Sequence, residues 1–124
     1  MAVTEPEPTP IPASLARPAD DWLRYQALER QLSANSIAAY RRDVAKYLRF
    51  LTDANITEFD AVQLNDLSEF TRTLATLKPT SIARTLSTVR GLHRYLYDDE
   101  RLTSDVTVDL IPPKIPARLP KALT

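Results

Sequence analysis

Apolar residues recur along the chain in steps of three and four, the spacing that places them on one face of an α-helix. The first such pattern follows Asp20 or Asp21, either of which can cap a helix, and runs to Leu32. Serine and asparagine at residues 33–36 interrupt the pattern and can cap a second helix, which is expected to fade near residues 53–55. The positions at helical spacing are Trp22, Tyr25, Leu28, Glu29 and Leu32 in the first helix, and Ile37, Tyr40, Val44, Tyr47, Leu48 and Leu51 in the second.

A third helix is expected from Asn65 or Asp66 to Leu77, where Lys78 and Pro79 end it. The residues of this helix that are expected to face inward are Leu67, Phe70, Leu74 and Leu77. The preceding loop is expected to be anchored to the core by Phe59, Val62 and Leu64.

A fourth helix is expected to start at Thr80 or Ser81. Its inward positions are Ile82, Leu86, Val89, Leu92, His93 and Leu96, with His93 at the edge of the core. After it, Ser104 or Asp105 can cap one short turn that ends at Leu110.

The two ends of the chain differ from this pattern because they are rich in proline. Residues 1–19 contain five of the ten prolines, and proline lacks the amide donor that a helix needs, so we expect a disordered, proline-rich arm there. Residues 112–124 contain four more and are expected to form a linker. The sequence therefore predicts one helical domain at residues 20–111, an all-α bundle of four helices with a short extra helical turn near its end.

Composition narrows the class of protein further. The chain has one glycine and no Asn-Gly or Asp-Gly pair, which argues against a fold of β-hairpins. It has no cysteine and a single histidine, so we expect neither a disulfide nor a metal site, and we expect no cofactor. No apolar run approaches the roughly 20 residues that cross a bilayer, and the acidic N-terminus is unlike a signal peptide. These features predict a cytoplasmic protein.

The charges cancel overall but are segregated along the chain. Sixteen basic and sixteen acidic side chains give a net charge of zero. Residues 33–51 nevertheless carry four basic groups against one acid, and residues 80–97 carry three arginines and no acid. The second and fourth helices are therefore the basic ones.

Helical periodicity places the basic side chains of both helices on the faces opposite the apolar stripes. On the fourth helix this outer face alternates arginine with small residues, which is typical of a helix that approaches DNA closely. A solvated charged face is the other reading, and the charge pattern alone leaves the two about equally supported. The residues expected on the outer faces include Arg42, Lys46, Arg49, Thr80, Ala83, Arg84, Ser87, Gly91 and Arg94, with Arg90 at the flank.

Three stretches resemble the core-binding domain of tyrosine site-specific recombinases of the XerC/XerD type. Residues 35–51 contain Asn-Ser followed by Tyr-Arg-Arg-Asp, and residues 81–97 contain a Ser-x-x-Arg-x-x-Ser-x-x-Arg pattern. Residues 112–124 resemble the linker that leads into the catalytic domain of that family.

The resemblance implies a SAM-like domain, a small orthogonal four-helix bundle that forms half of a clamp around a recombination half-site. The implied partners are double-stranded DNA and other recombinase protomers in a synaptic complex, where the first helix helps protomers meet. The isolated domain is expected to be monomeric. The implied DNA-binding residues are Asn35, Ser36, Arg41, Arg42, Lys46, Thr80, Ser81, Arg84, Ser87, Arg90 and Arg94. The helical wheel favours Arg42, Arg84 and Ser87 over Arg41.

The catalytic residues of that family, a tyrosine nucleophile with an Arg, Lys, His and Arg constellation, lie in a second domain. We therefore expect the present chain to be the non-catalytic part of a longer recombinase and assign it no catalytic residue. Two alternatives differ in their measurable behaviour. A protein-interaction bundle would dimerise without responding to DNA, and a complete enzyme would form covalent protein–DNA adducts.

Overall fold

The computed structural model of the chain describes residues 8–110. This part of the chain contains four α-helices, two short 3₁₀ turns and no β-strand, which confirms the predicted all-α class. The helices are α1 (Ala13–Leu28), α2 (Ala34–Asp53), α3 (Leu64–Thr73) and α4 (Pro79–Asp98), and the 3₁₀ turns are Phe59–Ala61 and Val106–Asp109. None of these helices combines the length and the apolar character that crossing a membrane requires.

Helix α1 begins at Ala13, so the prediction of a disordered arm through residue 19 is wrong for its last seven residues. Leu15 and Ala19 are buried, at 0% and 1% exposed, and they continue the apolar stripe of α1 toward its N-terminus. Pro18 lies inside the helix and removes one backbone hydrogen bond, a cost that the burial of this stripe outweighs. The predicted arm at residues 1–7 and the predicted linker at 112–124 lie outside the described residues.

The buried face of α1 is rotated relative to the predicted one. Tyr25 and Leu28 are 39% and 69% exposed, although both were expected to face inward. The helix also ends at Leu28 rather than Leu32. The buried positions of α1 are Leu15, Ala19, Trp22, Leu23 and Gln26.

Helices α2 and α4 begin and end close to the predicted residues, whereas α3 ends at Thr73, four residues before the predicted end at Leu77. Ser33 caps α2, and its Oγ accepts a hydrogen bond from the Ser36 backbone N–H at 3.1 Å. Helix α3 begins two residues early because the Asp66 carboxylate accepts a bond from the Gln63 N–H at 2.8 Å. Pro79 does not end α3, which stops six residues earlier at Thr73; it occupies the first turn of α4, where proline's missing N–H costs nothing.

Two further sequence-based predictions differ in outcome. Leu64 was expected to anchor the loop but is 41% exposed, because it begins α3 and leaves the inward positions to Leu67 and Phe70. The short turn near the end is confirmed, and Asp105 caps it by accepting a bond from the Thr107 N–H at 2.9 Å.

The core forms where α1, α2 and α4 pack against one another and α3 covers one end through its aromatic and leucine side chains. Tyr47 of α2 is fully buried, and its ring is tilted against those of Phe70 and His93, with centroid distances of 5.1 and 5.8 Å. Phe59 in the first 3₁₀ turn completes this group. Burial of these rings fixes α2 and α4 side by side, which positions the surface described next.

Candidate nucleic-acid interface

The two basic helices, α2 and α4, are in direct contact and are joined by a buried carboxylate. Asp43 of α2 is 1% exposed and accepts hydrogen bonds from Arg84 Nε at 3.0 Å and Arg84 Nη2 at 2.9 Å. It also accepts bonds from the hydroxyls of Thr85 and Thr88, at 3.1 and 3.0 Å. Every donor comes from α4, so this one side chain fixes the spacing of the two basic helices. We call the line of contact through Asp43 and Arg84 the α2–α4 seam.

The negative charge of the buried Asp43 carboxylate explains why it accepts so many hydrogen bonds. A carboxylate removed from water is strongly destabilising unless it is paired and hydrogen-bonded. Arg84 supplies both, and its hydrogen bond to Asp43 raises the pKa of the Arg84 guanidinium above its already high ordinary value. The Arg84 side chain is itself 41% exposed, so it forms the boundary between the buried carboxylate and solvent.

The inner side of the seam is marked by Tyr47, one turn after Asp43. Its hydroxyl lies 2.7 Å from Nε2 of His93, and both residues are fully buried. The prediction of His93 at the edge of the core is therefore wrong, because the ring lies among aromatic side chains in its interior. Asp43 therefore meets residues 84–88 of α4, and Tyr47 meets residue 93 of the same helix.

The outer side of the seam carries the basic side chains of α2. At about 100° per residue, Lys46 and Arg42 lie on the flank of α2 opposite Tyr47, next to Asp43. Both are exposed, and neither forms an ion pair within residues 8–110. On α4, Ser87 is exposed one turn after Arg84 on the outward side. Within each helix, the wheel places Arg42 and Lys46 within about 100° of Asp43 on α2, and Ser87 about 60° from Arg84 on α4.

Three of the predicted arginines lie away from this group or are engaged elsewhere. Arg41 is exposed but lies about 160° around α2 from Asp43. Arg90 is exposed on the flank of α4 turned away from α2. Arg94 lies further along the outer face and contacts Asp98 at 3.1 Å in an exposed pair. The list of DNA-binding residues predicted from the sequence thus contains residues next to the seam and residues that lie away from it.

The four small polar residues of the list lie in the first turns of the two helices. Asn35 and Thr80 are exposed, and Ser36 and Ser81 are half-buried. The N-terminus of a helix presents free N–H groups and positive potential, so the first turn of each helix can attract an anion.

Gly91 does not belong to the outward surface where the sequence reading placed it. It faces Trp22 of α1, and a Cβ added there would lie 3.1 Å from the indole ring. The small side chain is explained by the packing of α1 on α4. The argument that small residues on α4 serve the approach of DNA therefore loses this position.

Asp43 is the residue that the sequence-based reading missed. It was counted as the one acid in a basic helix and as the last residue of the Tyr-Arg-Arg-Asp motif, and no role was assigned to it, although its position held a usable signal. An acid at the edge of an apolar stripe, one turn before a buried tyrosine, has to find donors on the neighbouring helix.

Comparisons with known proteins identify the family of the chain. Residues 19–100 match the family described as the phage integrase N-terminal SAM-like domain. The match covers most of the chain, and the protein belongs to this family.

Similar proteins from several bacteria carry the name tyrosine recombinase XerD. The one from Mycobacterium leprae is 36% identical over 121 residues, which are 90% of this chain and 38% of that protein. The one from Pasteurella multocida is 42% identical over 100 residues, covering 78% of this chain and 33% of the relative. The one from Vibrio cholerae is 38% identical over 107 residues, covering 85% and 35%. The chain thus spans less than two fifths of each of these relatives, and no solved structure matches it significantly.

Proposed function

We propose that this chain is the DNA-binding N-terminal module of a tyrosine recombinase and that it clamps one recombination half-site through α2 and α4. The observation that carries the proposal is the α2–α4 seam. There, Arg84 of α4 is bonded to Asp43 of α2, and Arg42 and Lys46 are exposed on the turns of α2 that flank Asp43. Arginine, lysine and serine are the side chains that most often contact phosphates in duplex DNA.

The proposed role is binding rather than strand cleavage. Tyr47 and His93 are the tyrosine and the histidine that lie within hydrogen-bonding distance of each other, and both are buried in the core. Burial raises the pKa of Tyr47 well above its ordinary value, with a smaller contribution from the charge of Asp66. A phenol in this environment is a poor nucleophile, so the pair is assigned to the fold.

A fluorescence titration of the 124-residue chain with a short labelled duplex at two salt concentrations tests the proposal. We expect weak binding, with a dissociation constant on the order of micromolar or higher, as is usual for contacts dominated by phosphates. Between about 50 and 200 mM salt, neutralisation of about four to six phosphates gives a log–log slope of roughly −4 to −5.

Matched variants give the same titration a spatial control. Lys46→Ala removes one exposed cation from the seam, and we expect binding about three- to tenfold weaker with a salt slope lower by about one. Arg72→Ala removes an exposed cation from α3, where it pairs with Glu69, and should leave the affinity close to that of the unaltered chain. Absence of binding at low salt, or equal losses in both variants, would rule out the proposed interface.

A protein contact on α1 is the second candidate function, and it is favoured by the exposure of Tyr25 and Leu28 on one face of that helix. Tyr25 stacks on Tyr95 of α4 at 5.1 Å, so the exposed ring is held in place. Light scattering over a concentration series distinguishes the candidates. Association that is independent of DNA would favour this surface, whereas a monomer that binds duplex would favour the seam.

A further inference from the structure

We propose that Asp43 is a positioning residue for DNA binding, which holds the Arg84 guanidinium so that its second hydrogen-bonding edge faces a phosphate. The inference rests on the function proposed above. It assigns a role in binding an anion to a residue whose own charge would repel that anion.

The hydrogen bonds leave one edge of the guanidinium unused. Arg84 contacts Asp43 through Nε and Nη2, which form one edge of the planar group. A guanidinium carries five N–H donors in a fixed plane, so Nη1 and the second hydrogen of Nη2 remain. These donors make no hydrogen bond within residues 8–110. They form the second edge, which fits a phosphate with two parallel bonds.

The exposure of the two side chains indicates where this second edge points. Asp43 is 1% exposed and Arg84 is 41% exposed. The accessible surface of the pair therefore belongs to Arg84, and the guanidinium edge that is not bonded to the carboxylate is the one left to meet an anion. Lys46 and Arg42 are exposed on α2 at about 60° and 100° around the helix from Asp43, so their charges add to the attraction of an anion near Arg84.

The anchor is rigid because it is bonded on every side. The Thr85 and Thr88 hydroxyls hold the carboxylate, and Thr88 Oγ1 also lies 3.0 Å from the Arg84 carbonyl oxygen. A long arginine side chain normally loses much rotational freedom when it binds a ligand. Because Asp43 has already restricted Arg84, a phosphate bound at its second edge meets a preorganised donor pair.

The Asp43→Asn variant distinguishes a positioning role of Asp43 from an effect of its charge, because the two predict changes of DNA affinity in opposite directions. If only charge matters, loss of a carboxylate beside the interface makes DNA binding tighter. If Asp43 positions Arg84, binding becomes weaker, by about three- to tenfold, and the salt slope falls by about one because one phosphate contact is lost.

Asp98→Asn is the matched control. It makes the same change of charge on α4 and releases Arg94 from an exposed pair, but it does not touch the seam. We expect this variant to bind DNA as tightly as the unaltered chain or more tightly. Circular dichroism at the titration temperature establishes that each variant is folded.

The outcomes distinguish this inference from the proposed function. If the unaltered chain binds duplex and Asp43→Asn binds as tightly as Asp98→Asn, the positioning role is wrong and the DNA-binding function stands. If the unaltered chain does not bind, the proposed function itself fails. Should Asp43→Asn not fold, Arg84→Lys decides, because lysine keeps the charge but has one donor centre instead of two edges. Affinity equal to that of arginine would then overturn the inference.

Discussion

At the scale of single residues, the most unusual group is the buried pair of Tyr47 and His93. Burial lowers the pKa of His93 to about 4, and the charge of Asp105 opposes this shift only partly. One ring nitrogen faces Tyr47, and Nδ1 has no hydrogen-bond partner among residues 8–110. The histidine is therefore neutral in the folded protein at neutral pH, and protonation has to break up its environment.

This pair predicts that the fold loses stability in mild acid. Between pH 4 and pH 6.5 the unfolded chain binds a proton that the folded chain excludes, so the free energy of unfolding falls as the pH falls. From about pH 7 to about pH 5 we expect a loss of about 2 kcal/mol in urea denaturation. His93 is the only histidine, so His93→Gln should flatten this dependence. A free energy of unfolding that is constant over this interval would contradict the assignment.

At the scale of elements, sequence reasoning predicted α2 and α4 well but misplaced the start of α1. The spacing of apolar residues predicted α2 and α4 well, because both have long stripes and clear ends in Ser33 and Pro79. The same reasoning placed the start of α1 too late. Proline content is a local property, whereas the burial of Leu15 and Ala19 depends on the helices that pack against them.

The early start of α1 carries its own prediction. Leu15→Ala removes a fully buried side chain, and we expect the free energy of unfolding to fall by about 2–4 kcal/mol. Arg17→Ala, at an exposed position two residues later, should change it by less than about 0.5 kcal/mol. Chemical denaturation of both variants checks this, and equal stabilities would show that residues 13–19 do not belong to the packed domain.

As with the fold, one part of the candidate site could be predicted from the sequence and another part could not. Charge segregation in the sequence was enough to select α2 and α4, because charge runs are visible without coordinates. It could not separate Arg42 and Lys46, which are exposed without an ion-pair partner in the described part of the chain, from Arg84, which is bonded to Asp43. That distinction depends on the register between two helices, which no spacing within one helix contains.

At the scale of the whole molecule, the fold brings the two basic helices of a chain with zero net charge into contact. The acids are concentrated in residues 52–77 and 98–111, whereas α2 and α4 carry most of their charge as basic residues and pack against each other. Packing of Tyr47, Phe70 and His93 holds the two helices side by side, and Asp43 fixes their outer edge. The DNA binding proposed above therefore depends on the assembled bundle rather than on either helix alone.

Amide chemical-shift mapping of the ¹⁵N-labelled chain during titration with duplex DNA at low salt tests this claim most directly. The account predicts that the largest changes fall along the seam, around Asp43, Lys46, Arg84 and Ser87, and in the first turns of α2 and α4. Changes confined to α1 or α3, or no changes at all, would contradict it.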